Sequence, residues 1–404
     1  MAWPPTTHQD VQDAVAVLQT GKQDTATLGA DVAADATVRA AFELRTGTPT
    51  LMALGDSITA NGGGAIDPVT LQVEPTYNPT SYTFWAHLLS GGRFLHAGDA
   101  ATGGYTSAQI RDTHLPTVLA RKPAYCVTLI GQNSQTDLDA PVDIWEALVA
   151  AGITPILCTL PATGTAAALW KFNQFVAQYA REHGLPLVDF HAATVDTTTG
   201  GYKAGYSGDG THPTEAGAKA MGQALADVLA RVIPNPAVAG VLADNNAATD
   251  LEVGNPLFLT DDGSGLATNW TGLAAFDGSF DTDPAVAGRV WTVAAPTTAD
   301  SAVGASFDVT PGNRYQIAAK LSADVEAVGG VWVLRFLSVA PTVNFYTLAE
   351  FTKDVPIGSA YAIEWVCPAT ITTVRFDILA KTAAGASMSI GQFTVRDLTA
   401  LGLA

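Results

Sequence analysis

Leu51-Met52-Ala53-Leu54-Gly55-Asp56-Ser57-Ile58-Thr59 is the stretch from which the fold is read. Four apolar residues ending in glycine mark a buried strand that stops at a tight turn. Such a turn holds Ser57 at a strand's carboxyl end, where sites form in parallel α/β sheets. Ser and Asp are also ordinary turn residues, so this tripeptide decides nothing alone. A second stretch, Asp209-Gly210-Thr211-His212-Pro213, supplies what a serine hydroxyl lacks. The hydroxyl needs a base to take its proton, and the base needs a third group to orient it. The three-residue offset lets Asp209 and His212 point the same way, with Nε2 facing Ser57 and Nδ1 facing the carboxylate. A capping turn with a surface histidine explains either half but not the pair.

Acyl transfer also needs donors where negative charge develops on oxygen. Gly104 and Asn133 fall on the loops after the second and third expected strands, and Gly103 is an alternative to Gly104. With the N–H of Ser57 they make three donors. Asp56, Tyr105 and Gln132 adjoin these groups in the chain and are candidates for substrate contact.

Working outward, strands are expected at 51–55, 92–97, 124–131, 153–160 and 186–190. Helices are expected near 82–90, 105–120, 141–151 and 165–183, with a last one from Pro213 to about 233. Strands alternating with helices over 49–233 imply a parallel sheet covered on both faces, a three-layer α/β domain. Pro234-Asn235-Pro236 ends it, and 234–250 reads as a linker. From 251 the period changes to two, as in Tyr361, Ile363, Trp365, Cys367 and in Val374, Phe376, Ile378. A β-sandwich of jelly-roll type is expected over 251–404. Residues 1–48, with Val11, Val15 and Leu18 at helical spacing, read as a short helical arm. That arm is either weakly ordered or an assembly segment for a homo-oligomer or a larger particle. The 61–82 insertion, with Gly62-Gly63-Gly64 and Tyr77 and Tyr82, is either a surface loop or a substrate-facing flap.

Composition narrows the function classes. The 404 residues carry a formal charge of −18, which argues against nucleic acid and anionic membrane surfaces as partners. No apolar run of membrane-spanning length occurs, and Met1-Ala2-Trp3-Pro4-Pro5 lacks the pattern of a secretory signal. Cys126, Cys158 and Cys367 have no metal-ligand spacing and form no disulfide framework. His87, His114 and His183 read as surface or boundary residues on helices. His96 and His191 follow strands and are candidates to line the cleft, but no carboxylate or Cys accompanies them at ligand spacing, so no metal site is expected. In the second half, Trp270, Trp291 and Trp332 are core residues or sugar platforms, whereas Trp365 is core. Asp261, Asp262, Asp281 and Asp283 are solvated loop carboxylates or, less commonly, Ca²⁺ ligands.

These blocks resemble the SGNH (GDSL-type) hydrolases, whose motifs take the forms GDS, a glycine loop, GxN and DxxHP. All four occur here in order across about 49–233. The resemblance implies a flavodoxin-like αβα fold and a serine esterase needing no cofactor. Carried over residue by residue, it makes Ser57 the nucleophile and Asp209 and His212 its triad partners. Ser57, Gly104 and Asn133 then form the oxyanion hole. One block departs from the pattern, since Ser134 stands where the family often has Asp, which bears on loop geometry there. The G-x-S-x-G signature of α/β-hydrolases is absent around Ser57. The second half resembles carbohydrate-binding jelly rolls through Asn255-Pro256-Leu257-Phe258, the Phe307 to Gly312 turn and Ile390-Gly391-Gln392-Phe393. The Ala- and Asp-rich start resembles leaders of phage tail proteins. The resulting expectation is an esterase removing small acyl groups, O-acetyl above all, from a surface or capsular glycan, acting from a virion tail. Its alternatives are a lipase or thioesterase, and a non-catalytic structural or adhesive tail module.

Overall fold

The computed structural model describes residues 49–60, 78–164, 167–233, 254–298, 301–340, 343–347 and 350–400. The expected arm at 1–48, the insertion up to Tyr77 and the 234–250 linker lie outside the described residues.

The first sheet is built from β1 (Thr50–Gly55), β2 (Leu95–Ala101), β3 (Tyr125–Leu129), β4 (Thr154–Cys158) and β5 (Leu187–Val188). All pairings are parallel and the order is β2-β1-β3-β4-β5. This is the flavodoxin-like order, in which the chain reverses its direction of travel between β1 and β3. Ser57 follows β1 at the carboxyl edge of the sheet, at this switch point. Leu51 to Leu54 are fully buried, because a strand covered on both faces has no polar side.

The helices are α1 (Ser57–Ala60), α2 (Tyr82–Leu89), α3 (Ser107–Thr113), α4 (Leu115–Arg121), α5 (Asp139–Ala150), α6 (Ala167–His183), α7 (Phe190–Thr194) and α8 (Glu215–Val232). Right-handed crossovers put α2 and α8 on one face of the sheet and α3 to α6 on the other. Three boundaries differ from the sequence expectation. β2 starts at Leu95 and reaches Ala101 because its inward-facing Asp99, bonded to His96 at 2.7 Å, breaks the apolar signal. The helix expected over 105–120 divides at His114, since Pro116 opens a new first turn. α8 begins at Glu215, with Thr214 as its cap, rather than at Pro213.

The second half is all-β. One antiparallel sheet has the order β13-β10-β15-β8-β7 and the other β12-β11-β14-β9-β6. In chain order these are β6 (Thr271–Gly272), β7 (Asp277–Asp281), β8 (Val290–Ala294), β9 (Ser301–Asp308), β10 (Arg314–Asp324), β11 (Val331–Ala340), β12 (Val343–Thr347), β13 (Val355–Val366), β14 (Thr373–Lys381) and β15 (Ser387–Asp397). Tyr361, Ile363 and Trp365 from one sheet and Val374, Phe376 and Ile378 from the other meet in a single core. Trp270, Trp291, Trp332 and Trp365 are all buried there, at most 5% exposed, so none is a sugar platform. The loop acids also have local employment. Asp261 pairs with Arg289 at 2.9 Å, while Asp262, Asp281 and Asp283 accept from neighbouring backbone N–H groups. Among the described residues no three His, Cys, Asp or Glu side chains converge as metal ligands, and all three cysteines are buried and free.

The two halves are not independent modules. Phe84, Trp85 and Leu88 of α2 and Ala218 of α8 belong to the β-sandwich core. Phe84 stacks on Phe351 at 4.7 Å, and Trp85 meets Phe351 edge-on at 5.6 Å. His87, expected at the surface or at a boundary, is buried between the halves, where its Nε2 accepts from the N–H of Ala362 at 2.9 Å. Burial, with a contribution from His96, lowers its pKa to about 3, so the ring stays in the neutral form that can accept. The sequence Tyr82-Thr83-Phe84-Trp85-Ala86-His87-Leu88-Leu89 has no polar face, as a helix enclosed from every side requires. Gly222 permits the close approach of α8 to α2, since a Cβ there would fall 2.3 Å from that of Trp85.

Cutting the chain after residue 233 is therefore expected to destabilise the α/β half severely. Each large apolar side chain uncovered costs about 1.5–3 kcal/mol, and a buried histidine loses its partner. A melting temperature at least about 10 °C lower, or an insoluble product, is the expected result. A truncated chain that melts like the intact protein would show the seam to be a weak contact.

Candidate active site

Three loops at the carboxyl ends of β1, β2 and β3, together with the turn before α8, bring the candidate residues together. Ser57 opens α1 directly after β1, and this short helix is tied down at both ends. Asp56 Oδ1 accepts from Ile58 N–H at 3.1 Å, and Thr59 Oγ1 bonds the Tyr82 hydroxyl at 3.0 Å. Tyr82, a candidate for a substrate-facing flap, is instead buried on α2.

His212 Nε2 lies 2.9 Å from Ser57 Oγ, and its Nδ1 lies 2.7 Å from Asp209 Oδ2. The other oxygen, Oδ1, accepts from the N–H groups of Thr211 and His212, each at 2.8 Å. The His212 side-chain bond foremost, then these backbone donors, hold the Asp209 carboxyl well below the usual carboxylate range. It is anionic wherever the imidazole needs a partner. Ser207 locks the same turn, donating to the His212 carbonyl at 2.7 Å and accepting from Gly210 N–H at 2.9 Å. Asp209 is 57% and His212 36% exposed, so hydrogen bonding rather than burial orients them.

Gly103 and Gly104 line the second loop. A side chain at 103 would project to 3.8 Å from Ser57 Cβ, and Gly104 has a φ of +79°, which glycine adopts without strain. Asn133 sits across from them with its Nδ2 donating to the Tyr105 carbonyl at 3.0 Å. This bond joins the two loops and leaves the second amide hydrogen for a ligand. Ser134, the departure from the family pattern, bonds both the backbone N–H and the hydroxyl of Ser107 at 2.9 Å. It ties the third loop to α3.

The substrate-contact candidates fare differently. Asp56 is completely buried beneath Ser57 and cannot touch a substrate. Gln132 is half-buried at the rim and accepts from the Thr163 hydroxyl at 3.2 Å. Tyr105 is half-buried with its ring stacked on His114. Two supports escaped the sequence reading. His114 bonds Thr102 Oγ1 at 2.9 Å and so buttresses the glycine loop. His96 does have a carboxylate partner in Asp99, and their i,i+3 spacing was the available signal.

Residues 53–220 match the model of the GDSL-like Lipase/Acylhydrolase family. No curated protein sequence matches the chain. Solved structures that resemble it include one described as a G-D-S-L-family protein, assigned as lipolytic, from Desulfitobacterium hafniense. The identity is 21% over 45% of this chain and 99% of that one, with a TM-score of 0.37. An acetyl xylan esterase from Geobacillus stearothermophilus has 20% identity over 45% and 94%, with a TM-score of 0.36. A tailspike protein of bacteriophage CBA120 has 16% identity over 35% and 22%, with a TM-score of 0.25.

Burial raises the Asp56 pKa to about 6, only partly offset by hydrogen bonds from the backbone, that of Ile58 first. Between about pH 4 and 6 the folded chain holds a proton that the unfolded chain releases, so stability falls as pH rises through that window. Above it the cost is complete. Asp56→Asn keeps an acceptor for Ile58 and removes the buried charge. It should be more stable than the parent by about 1–3 kcal/mol at pH 8 and show no gain at pH 4, measured by urea unfolding. An equal difference at both values would assign the effect to packing.

Proposed function

Taking as premise that residues 53–220 carry a GDSL-like lipase/acylhydrolase domain, we propose that the protein is a serine esterase acting through Ser57, His212 and Asp209. The observation that carries this reading is the unbroken hydrogen-bonded line from Ser57 Oγ through the imidazole to the Asp209 carboxylate. In the reaction Ser57 Oγ attacks the ester carbonyl carbon while its proton passes to His212 Nε2. The tetrahedral oxyanion is met by the N–H groups of Ser57 and Gly104 and by the Asn133 amide. Collapse breaks the bond to the leaving alkoxide, which takes the proton from His212 and departs as the alcohol. Water, deprotonated in turn by His212, then releases the acid from Ser57. Asp209 stays ionised and steadies the imidazolium.

The substrate is proposed to be a short acyl ester, O-acetyl above all, on a bulky glycan. Gly104, Asn133 and Asp209 are exposed, which suits a bulky alcohol better than an enclosed acyl chain. A sugar-binding role for the β-sandwich gains nothing from its tryptophans, all four of those singled out being core.

Ser57→Ala should abolish hydrolysis of p-nitrophenyl acetate and labelling by a fluorophosphonate while leaving the melting temperature nearly unchanged. Retained turnover would place the nucleophile elsewhere. Asn133→Ala should lower kcat about 10²- to 10³-fold, whereas a loss under about threefold would remove it from the oxyanion hole. Acetate release from acetylated polysaccharides should exceed hydrolysis of long-chain esters, and the reverse order would favour a lipase or thioesterase.

A further inference from the structure

The β-sandwich reaches the candidate base through one carboxylate. Glu215 is the first residue of α8, three positions after His212. Both of its oxygens are engaged by the other half of the molecule. Oε1 accepts from the N–H groups of Thr352 and Lys353 at 2.7 and 3.0 Å, and Oε2 accepts from the Thr352 hydroxyl at 2.7 Å. One turn further on, Lys219 Nζ donates to the Asp354 carbonyl at 2.8 Å.

The segment that grips Glu215 is itself fixed. Phe351 exchanges two backbone bonds with Trp332 at 2.9 and 3.0 Å, and the Trp332 indole donates to the Lys353 carbonyl at 2.9 Å. Asp354 Oδ1 accepts from the N–H groups of Val325 and Glu326, both at 2.8 Å. On the other side, only Pro213 and Thr214 separate Glu215 from His212. Thr214 is pinned by its hydroxyl to the Gly205 carbonyl at 2.6 Å. Two residues of backbone are all that lie between the gripped carboxylate and the imidazole. The Asp209–His212 turn is itself held by hydrogen bonds with Ser207 and Asp209 more than by burial, so its aim depends on the backbone that carries it.

We propose that Glu215 is a positioning residue for the base. Held by Thr352 and Lys353, it fixes the start of α8 and thereby keeps the His212 imidazole within reach of Ser57. The inference rests on the esterase reading and gives the β-sandwich a part in catalysis that does not depend on binding sugar. A plainer role exists, because a carboxylate in the first turn of a helix is favourable through the helix dipole alone. The two are separable. Glutamine loses the charge but retains an oxygen for both N–H donors and an amide that can bond the Thr352 hydroxyl.

The test uses the full chain, with p-nitrophenyl acetate kinetics, the rate of fluorophosphonate labelling of Ser57, and melting temperature measured together. Glu215→Ala should lower kcat and the labelling rate about 10- to 100-fold, the scale of a sub-ångström to ångström misplacement, with KM within about twofold. Glu215→Gln should recover most of both. Thr352→Val, which removes one hydroxyl without changing shape, should lower kcat at least about threefold, the worth of one hydrogen bond. It carries the test if Glu215→Ala folds poorly. Unchanged kcat in Thr352→Val or in a folded Glu215→Ala overturns the proposal, as does a Gln variant no better than Ala. In those cases an active parent labelled at Ser57 leaves the esterase reading intact. A parent that neither turns over nor labels at Ser57 ends both.

Discussion

A single contact, His212 Nε2 to Ser57 Oγ at 2.9 Å, joins residues 155 positions apart and sets the task for everything around it. Neither group has a reason to meet the other locally. Ser57 is fixed by the end of β1, deep in a sheet, while His212 rides on an exposed turn ahead of α8. The distance holds because both anchors are tied into one face of the fold. Thr59 beside Ser57 bonds Tyr82 at the start of α2, and α8 behind His212 packs on α2 through Gly222.

That same face is where the β-sandwich docks. The aromatic cluster of Phe84, Trp85, Trp332 and Phe351 and the Ala362 to His87 bond join α2 to the second half. Glu215 joins α8 to it. The sandwich thus covers α2, which is bonded to α1 through Tyr82 and Thr59, and α8, which follows His212. A domain that sequence pattern alone presents as an appended binder is built in as a wall of the catalytic half. Among the described residues no helix is long and apolar enough to cross a membrane.

Much of this was legible from the chain because the signals were local. Leu51 to Ser57 reads as strand then turn, and the Asp209-to-His212 offset reads as an oriented pair, since both depend on residues within one turn. The 2-periodic runs around Trp365 and Phe376 gave the inward faces of the sandwich for the same reason. What was missed depends on partners far away in sequence. His87 reads as a surface or boundary residue, and only β13, which donates to it, shows that it is enclosed. Asp56 looks like a motif side chain open to ligand, yet folding encloses it completely. Glu215 reads as an ordinary first-turn acid, and only the 351–354 segment reveals its use. β2 was misplaced because the buried His96–Asp99 pair mimics a polar loop.

The most direct test of the account is to quench the full-length protein within milliseconds of mixing with an activated acetyl ester and map the acetyl group by peptide mass spectrometry. The account predicts acetylation confined to the Ser57 hydroxyl, accumulating when the His212 base is removed by His212→Ala only far more slowly than in the parent. Turnover with the acetyl group on another side chain, or with no acylated intermediate at any time, would contradict it.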